Sequence, residues 1–145
     1  MQTSFTDKQL LDKDNKSSES ILRKCVHCGM CNATCPTFCV NGEELEGPRG
    51  RIYLIKDMLE NKKPANKKIV KHIDSCLSCY SCMTTCPSGV NYMHLIDHGR
   101  NYVEETYKRP FLDRLFRNVL SFVLPRPKVF LALAYLSKLI KPFSF

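Results

Sequence analysis

Two cysteine runs carry most of the chemistry that this sequence can do. Cys25-Val-His-Cys28-Gly-Met-Cys31-Asn-Ala-Thr-Cys35-Pro36 and Cys76-Leu-Ser-Cys79-Tyr-Ser-Cys82-Met-Thr-Thr-Cys86-Pro87 repeat one spacing, Cys-x2-Cys-x2-Cys-x3-Cys-Pro. Thiolates at i, i+3 and i+6 of a tight loop can converge on three corners of one cubane cluster, leaving the fourth corner to a more distant ligand. In chains with two such runs, the cysteine before the proline ligates the other cluster. The expected ligand sets are therefore crossed, for two 4Fe-4S clusters. Cluster one takes Cys25, Cys28, Cys31 and Cys86; cluster two takes Cys76, Cys79, Cys82 and Cys35. Pro36 and Pro87 each remove a backbone donor and fix φ, which turns the fourth cysteine away from its own loop. Crossing would hold the clusters within tunnelling distance and make each half depend on the other to fold.

Zinc is the competing metal, but its structural sites use cysteine pairs well separated in sequence. Three cysteines within seven residues would leave a thiolate idle on one tetrahedral ion. Disulfides are the other alternative for nine cysteines in 145 residues. Residues 1–20 are polar and mixed in charge, with no apolar stretch or cleavage site, so no signal peptide is visible and the expected compartment is the cytoplasm. Thiols stay reduced there. Cys39, outside the repeat, is expected to be a buried free thiol behaving as a small apolar residue. His27 stands inside the first loop, where it can hydrogen-bond a cluster sulfur or face solvent. Ser78, Ser81, Thr34 and Thr85 are candidate donors to cluster sulfurs. His72, His94 and His98 show no metal-like pattern and read as surface or packing residues. No nucleophile, paired-carboxylate or phosphate-loop constellation appears. No residue is therefore assigned a catalytic role, and the expected task is passing single electrons between a partner's cofactor and an acceptor.

The elements that must position these loops are helical. Residues 51–60 place Ile52, Ile55, Met58 and Leu59 on one face, and Asn61-Lys-Lys-Pro64 ends the helix. Residues 67–74 repeat the pattern with Ile69, Val70 and Ile73. Tyr92, Leu95, Ile96, Gly99, Tyr102 and Val103 follow helical spacing up to Pro110. Gly47-Pro-Arg-Gly-Arg51 lacks the phosphate-loop spacing and reads as the turn that opens the first of these helices. The expected fold is all-α: a polar lead (1–19), a helical domain binding two 4Fe-4S clusters (20–109), and a basic amphipathic helical tail (110–145).

Charge sharpens the picture of the tail. The chain carries a net +8, with Lys62, Lys63, Lys67, Lys68 and Lys71 clustered before the second run and further basic residues concentrated after residue 100. A basic zinc module on nucleic acid would interleave aromatics with those lysines, and residues 61–72 contain none. No nucleic-acid partner is expected. In the tail, Phe111, Leu112, Leu115, Phe116, Val119, Leu120, Val123 and Leu124 form an apolar face, with Arg114, Arg117 and Asn118 opposite. Residues 129–136 are unbroken apolar, followed by Lys138 and Lys141. That run falls short of the roughly twenty residues that span a bilayer. The face is expected to pack on protein, with a helix lying on the membrane surface as the alternative.

With these residues in hand, a family resemblance can be stated. Residues 20–37 around the first run, Gly47-Pro-Arg-Gly-Arg-Ile-Tyr-Leu-Ile-Lys56, Cys86-Pro-Ser-Gly-Val90 with Gly99-Arg100, and in the tail Arg109-Pro110 and Leu124-Pro-Arg-Pro127 closely resemble the iron-sulfur subunit of bacterial glycolate oxidase (glycolate dehydrogenase). The resemblance implies that residues 20–109 form an α-helical ferredoxin-like domain, in an electron-transfer subunit that takes electrons from flavin-containing partner subunits oxidising glycolate to glyoxylate and relays them toward membrane quinone. It implies a chain in the cytoplasm or peripheral on the cytoplasmic face of the inner membrane. The cluster loops alone also occur in related complexes for lactate, anaerobic glycerol-3-phosphate or heterodisulfide chemistry. The family pattern continues into further cysteine-rich repeats, so the end at Lys141-Pro-Phe-Ser-Phe145 reads as a truncation.

Overall fold

The computed structural model describes residues 1–140, with side chains through Leu136, so the expectation placed on 141–145 lies outside the described residues. The chain divides into two units, Met1–Tyr107 and the segment from Lys108 onward. No strand occurs among the described residues, and the architecture is all-α.

In the first unit, α1 (Lys13–Lys24), α2 (Pro36–Asn41), α3 (Pro48–Asn61), α4 (Lys67–Asp74), α5 (Ser81–Thr84) and α6 (Tyr92–Thr106) succeed one another. Each start has a local cause. Asp12 accepts from the Asp14 and Asn15 amides at the head of α1, Asn66 from Ile69 at α4, and Asn91 from His94 at α6. These caps satisfy amides that a helix cannot bond internally. Proline occupies the first turn of α2 and of α3, where no amide is required. Helix α3 begins at Pro48, three residues before the expected start at Arg51, because the Gly-Pro pair sets its entry.

The core gathers on α3 and α6. Leu22, Ile55, Met58, Ile73, Leu95, Ile96 and Val103 are fully buried, each stabilising the fold by roughly 1.5–3 kcal/mol. The two helices approach closely at Gly99, where a Cβ would lie 2.8 Å from Ile55 Cγ1. Residues 1–19, polar as they are, hold most of a docked helix: α1 buries Ser18, and beyond that stretch Ile21 and Leu22. Buried Gln9 donates to the Leu59 and Glu60 carbonyls at the end of α3, at 2.9 and 3.1 Å. One amide side chain thus caps a helix some fifty residues away in sequence.

The second unit comprises α7 (Phe111–Val123) and α8 (Pro127–Ile140). Asp113 pairs with Arg109 at 3.4 Å and with Arg117 at 3.2 Å along α7. Phe111, Leu112, Leu115, Phe116 and Val119 remain exposed. No single helix among the described residues is long and apolar enough to cross a membrane; 111–123 and 127–136 reach that length and composition only together, across a bend of 111°.

Candidate functional site

The two cysteine runs share a backbone. His27 and Gly29 have φ of 58° and 86°, and their counterparts Ser78 and Tyr80 have φ of 53° and 57°. Left-handed residues alternating with right-handed ones turn successive amides inward, forming a concavity that accepts anionic sulfur or iron-sulfur ligands. Glycine occupies the second left-handed position in the first run at no steric cost, whereas Tyr80 holds it in the second at about 1–2 kcal/mol.

Each run opens onto a cavity that also receives a cysteine of the other run. Cys25, Cys28 and Cys31 line the first cavity together with Cys86 and Cys82. Cys35 lines the second with Cys76, Cys79 and Cys82. Cys82, on α5, forms part of the wall between them. Pro36 starts α2 immediately after Cys35, which aligns that thiol with the second cavity. The first cavity is otherwise walled largely by apolar groups, among them Val26, Met30, Ile52 and Val90. All nine cysteines are free thiols. An all-thiol donor set in two apolar pockets fits iron-sulfur clusters by the chemistry of its ligands.

Electrostatics point the same way. Burial pushes the Cys31 thiol up to about 11, and burial followed by the neighbouring cysteines pushes Cys82 up to about 12. Thiols packed this closely cannot ionise together without positive counter-charge, which iron held by these cysteines would supply. Cys79, near the surface, is held below its usual value by the Ser81 amide and then by the Ser81 hydroxyl.

Beside the second cavity lies a buried polar network. The Arg51 guanidinium, 1% exposed, donates through Nε to the His72 carbonyl at 2.6 Å, and through Nη2 to Glu46 Oε2 at 2.9 Å, Ser75 Oγ at 3.0 Å and Thr37 Oγ1 at 3.1 Å. Its remaining edge, Nη1, lies 3.8 Å from Cys35 Sγ. His72 Nδ1 sits 2.7 Å from Glu46 Oε1, and Ser75 Oγ donates to Glu46 Oε2. Burial alone would raise the Glu46 carboxyl, but Ser75, His72 and Arg51 outweigh it and hold the group below its usual range. Glu43, Glu46 and His72 have the spacing of a metal site, yet Arg51 already neutralises Glu46 there. Gly50 makes room for this arrangement, because a Cβ would stand 2.2 Å from the Glu44 carbonyl. Tyr92, whose phenol is pushed well up by burial and then by Cys76, stays protonated and donates to Cys76 Sγ at 3.6 Å.

Several expectations are corrected here. Cys39 is exposed on α2, its thiol directed at the Ala33 carbonyl, because this six-residue helix buries none of its residues. His72 is neither surface nor simple packing but part of the Arg51 network. Ser78 accepts from Arg100 at 2.7 Å, Thr34 donates to the Cys31 carbonyl, and Thr85 donates to Thr34 and Ser81. Of the four hydroxyls, Ser81 is the one that acts on a cysteine. His27 lines the first cavity, and its Nδ1 is buried without a partner. Sequence reading missed Arg51, Glu46 and Tyr92. The signal for the first was the Gly-Pro-Arg-Gly-Arg segment, read only as a turn; Tyr92 was hidden inside an apolar helical stripe.

An all-helical scaffold with thiols converging on twin pockets defines an iron-sulfur protein of the α-helical ferredoxin class. Residues 21–90 match the family model described as a 4Fe-4S dicluster domain. Across 99% of its length the chain is 50% identical to the glycolate oxidase iron-sulfur subunit of Escherichia coli K12. It is 31% identical over 77% of its length to the probable glycolate oxidase iron-sulfur subunit of Bacillus subtilis 168. A third relative, one of the subunits of the H(2):CoB-CoM heterodisulfide,ferredoxin reductase of Methanothermobacter thermautotrophicus, is 27% identical over 81% of the chain. The chain spans 35% and 26% of the lengths of the first two relatives and 58% of the third. No solved structure matches.

Proposed function

We propose that this chain is the two-cluster, electron-transferring portion of a glycolate oxidase (glycolate dehydrogenase) complex. It receives electrons from flavin-containing subunits that oxidise glycolate to glyoxylate, and it relays them toward membrane quinone. The observation that carries this reading is the exchange of cysteines between cavities: Cys86 joins the first run and Cys35 the second. Two four-thiolate sets follow, Cys25, Cys28, Cys31 and Cys86 for one 4Fe-4S cluster and Cys76, Cys79, Cys82 and Cys35 for the other. Such clusters, when bound, supply one-electron redox chemistry. The chain's own contribution is to hold the thiols on rigid helix-flanked loops, to exclude water with apolar walls, and to leave Cys28 and Cys79 at the surface as points of electron entry and exit. It forms and breaks no substrate bond itself. The similarity to glycolate oxidase iron-sulfur subunits over nearly the whole chain supports the choice of complex, and a cytoplasmic or peripheral inner-membrane position is consistent with that role.

Anaerobic purification with iron, sulfide and zinc analysis tests the cofactor. About eight irons and eight sulfides per chain, with a broad visible absorption bleached by dithionite, are expected. Stoichiometric zinc without sulfide would overturn the reading. Co-purification with a flavoprotein that reduces the clusters on addition of glycolate tests the complex. The likeness to a heterodisulfide reductase subunit favours a second reading, a relay for that class of oxidoreductase, which reduction by other donors but not by glycolate would select.

A further inference from the structure

The two pockets differ in what faces their sulfurs. Around the second, Arg51 Nη1 points at Cys35 Sγ and Tyr92 donates to Cys76 Sγ, while the Thr37 hydroxyl, 3.2 Å from Cys35 Sγ, gives its proton to the Glu46 carbonyl, which lies 3.6 Å from the same sulfur. Around the first, no side-chain donor among the described residues hydrogen-bonds a cysteine sulfur. The charge nearest that pocket, Arg49, pairs with Glu44 at 2.5 Å where both side chains are more than a third exposed. Water and salt screen that pair, whereas the Arg51–Glu46 pair, about 1% and 3% exposed, lies out of their reach.

Orientation matters as much as burial. Arg51 holds Glu46 on its Nη2 edge and presents Nη1 to the sulfur, so the ion pair is a dipole with its positive end at Cys35. A cluster gains one negative charge on reduction, and donors or positive potential at its thiolates stabilise that form and raise its potential. His27 is the candidate counterweight at the first pocket. It lines that pocket, but its buried Nδ1 has no hydrogen-bond partner, so it offers the first set of sulfurs nothing to match Arg51 and Tyr92.

We propose that Arg51, supported by Tyr92, sets the second cluster (Cys76, Cys79, Cys82, Cys35) at a higher potential than the first, so that electrons entering at the Cys28 edge come to rest beside Cys35. The inference rests on the two-cluster reading above. One electron leaves the reduced first cluster and reduces the second; no proton or bond changes hands, and the reduced flavin of the partner restores the first. Arg51 is a positioning residue for this transfer, acting through Cys35 rather than carrying the electron.

The test is a redox titration of the anaerobically purified full chain followed by electron paramagnetic resonance. Cys28→Ser and Cys79→Ser assign the two signals. The second cluster is expected to hold the first electron at least about tenfold in preference to the first cluster, equivalent to about 59 mV for a one-electron couple. Arg51→Gln combined with Glu46→Gln, which avoids stranding a buried carboxylate, should remove most of that preference by lowering the second potential alone. Tyr92→Phe should lower it by a smaller factor, and it decides the matter if the double variant fails to assemble. A first cluster that accepts the first electron, or a Tyr92→Phe chain with both potentials unchanged, would overturn the proposal while leaving the two-cluster reading intact. Absence of two paramagnetic centres in the wild-type chain would instead sink the underlying reading.

Discussion

The first and second cysteine runs have one backbone and two environments. His27 and Gly29 match Ser78 and Tyr80 in their left-handed φ values, so the loops cup their ligands alike. Beyond the loops the likeness ends. The first run is backed by apolar walls and a half-exposed ion pair, the second by a buried Arg51–Glu46–His72 network and the Tyr92 hydroxyl. A repeated motif therefore fixes the backbone of each loop, and the helices behind it fix what surrounds each set of thiols.

The largest break in this comparison should come from Arg51→Ala. It strands Glu46 in the interior and is expected to cost about 3–5 kcal/mol, read from anaerobic chemical denaturation. The corresponding change beside the first run, Arg49→Ala, should cost far less because its partner stays hydrated. If the two variants unfold at the same denaturant concentration, the asymmetry is not energetic.

A second substitution serves as a control that strikes both runs together. Gly99→Ala forces a Cβ against Ile55 where α3 and α6 meet, and overpacking of this kind costs about 1–3 kcal/mol. Iron content should fall equally at both clusters, since both loops lean on that helix pair.

The loops themselves predict a smaller, opposed pair. Gly29→Ala places a Cβ at φ 86° and 3.0 Å from Arg49 Nη1, a loss of about 1–2 kcal/mol. Tyr80→Gly relieves similar strain but gives up the half-buried ring, leaving a net change near zero. Thermal melts of the two variants side by side would separate these outcomes.

The smallest effect is acid sensitivity. Glu44 is held below its usual range chiefly by Arg49, and Glu46 by Ser75, His72 and Arg51 against burial. A carboxylate with a depressed folded value contributes stability that is complete above the unfolded value of about 4.3 and is lost as pH falls through the folded one. Removing either group by mutation to Gln should therefore flatten the decline in stability below about pH 4. Added salt should erase the Glu44 contribution and spare that of Glu46, a difference that denaturation midpoints at two ionic strengths would reveal.

Much of this site is written in local spacing. The Cys-x2-Cys-x2-Cys-x3-Cys-Pro runs single out the cysteines that line the two cavities, and three-to-four-residue periodicity places Ile52, Ile55, Met58, Leu95 and Ile96 inside. Helix α1 went unseen because a polar composition conceals a helix whose buried face is only Ser18, Ile21 and Leu22. Cys39 was misjudged because its residue type favours burial and its short helix does not.

What the sequence determined by itself is whatever depends on neighbours along the chain: the thiol spacing, the helical faces and the proline-set turns. Tertiary structure alone decided that Arg51, Glu46 and His72 meet beside Cys35, and that Tyr92 reaches Cys76. Those contacts join α3, α4, α6 and the segment leading into α3, whose mutual placement arises from packing around Ile55 and Gly99. A side chain's partner across 16 to 26 residues is set by where helices cross, and no pattern of adjacent residues encodes that crossing.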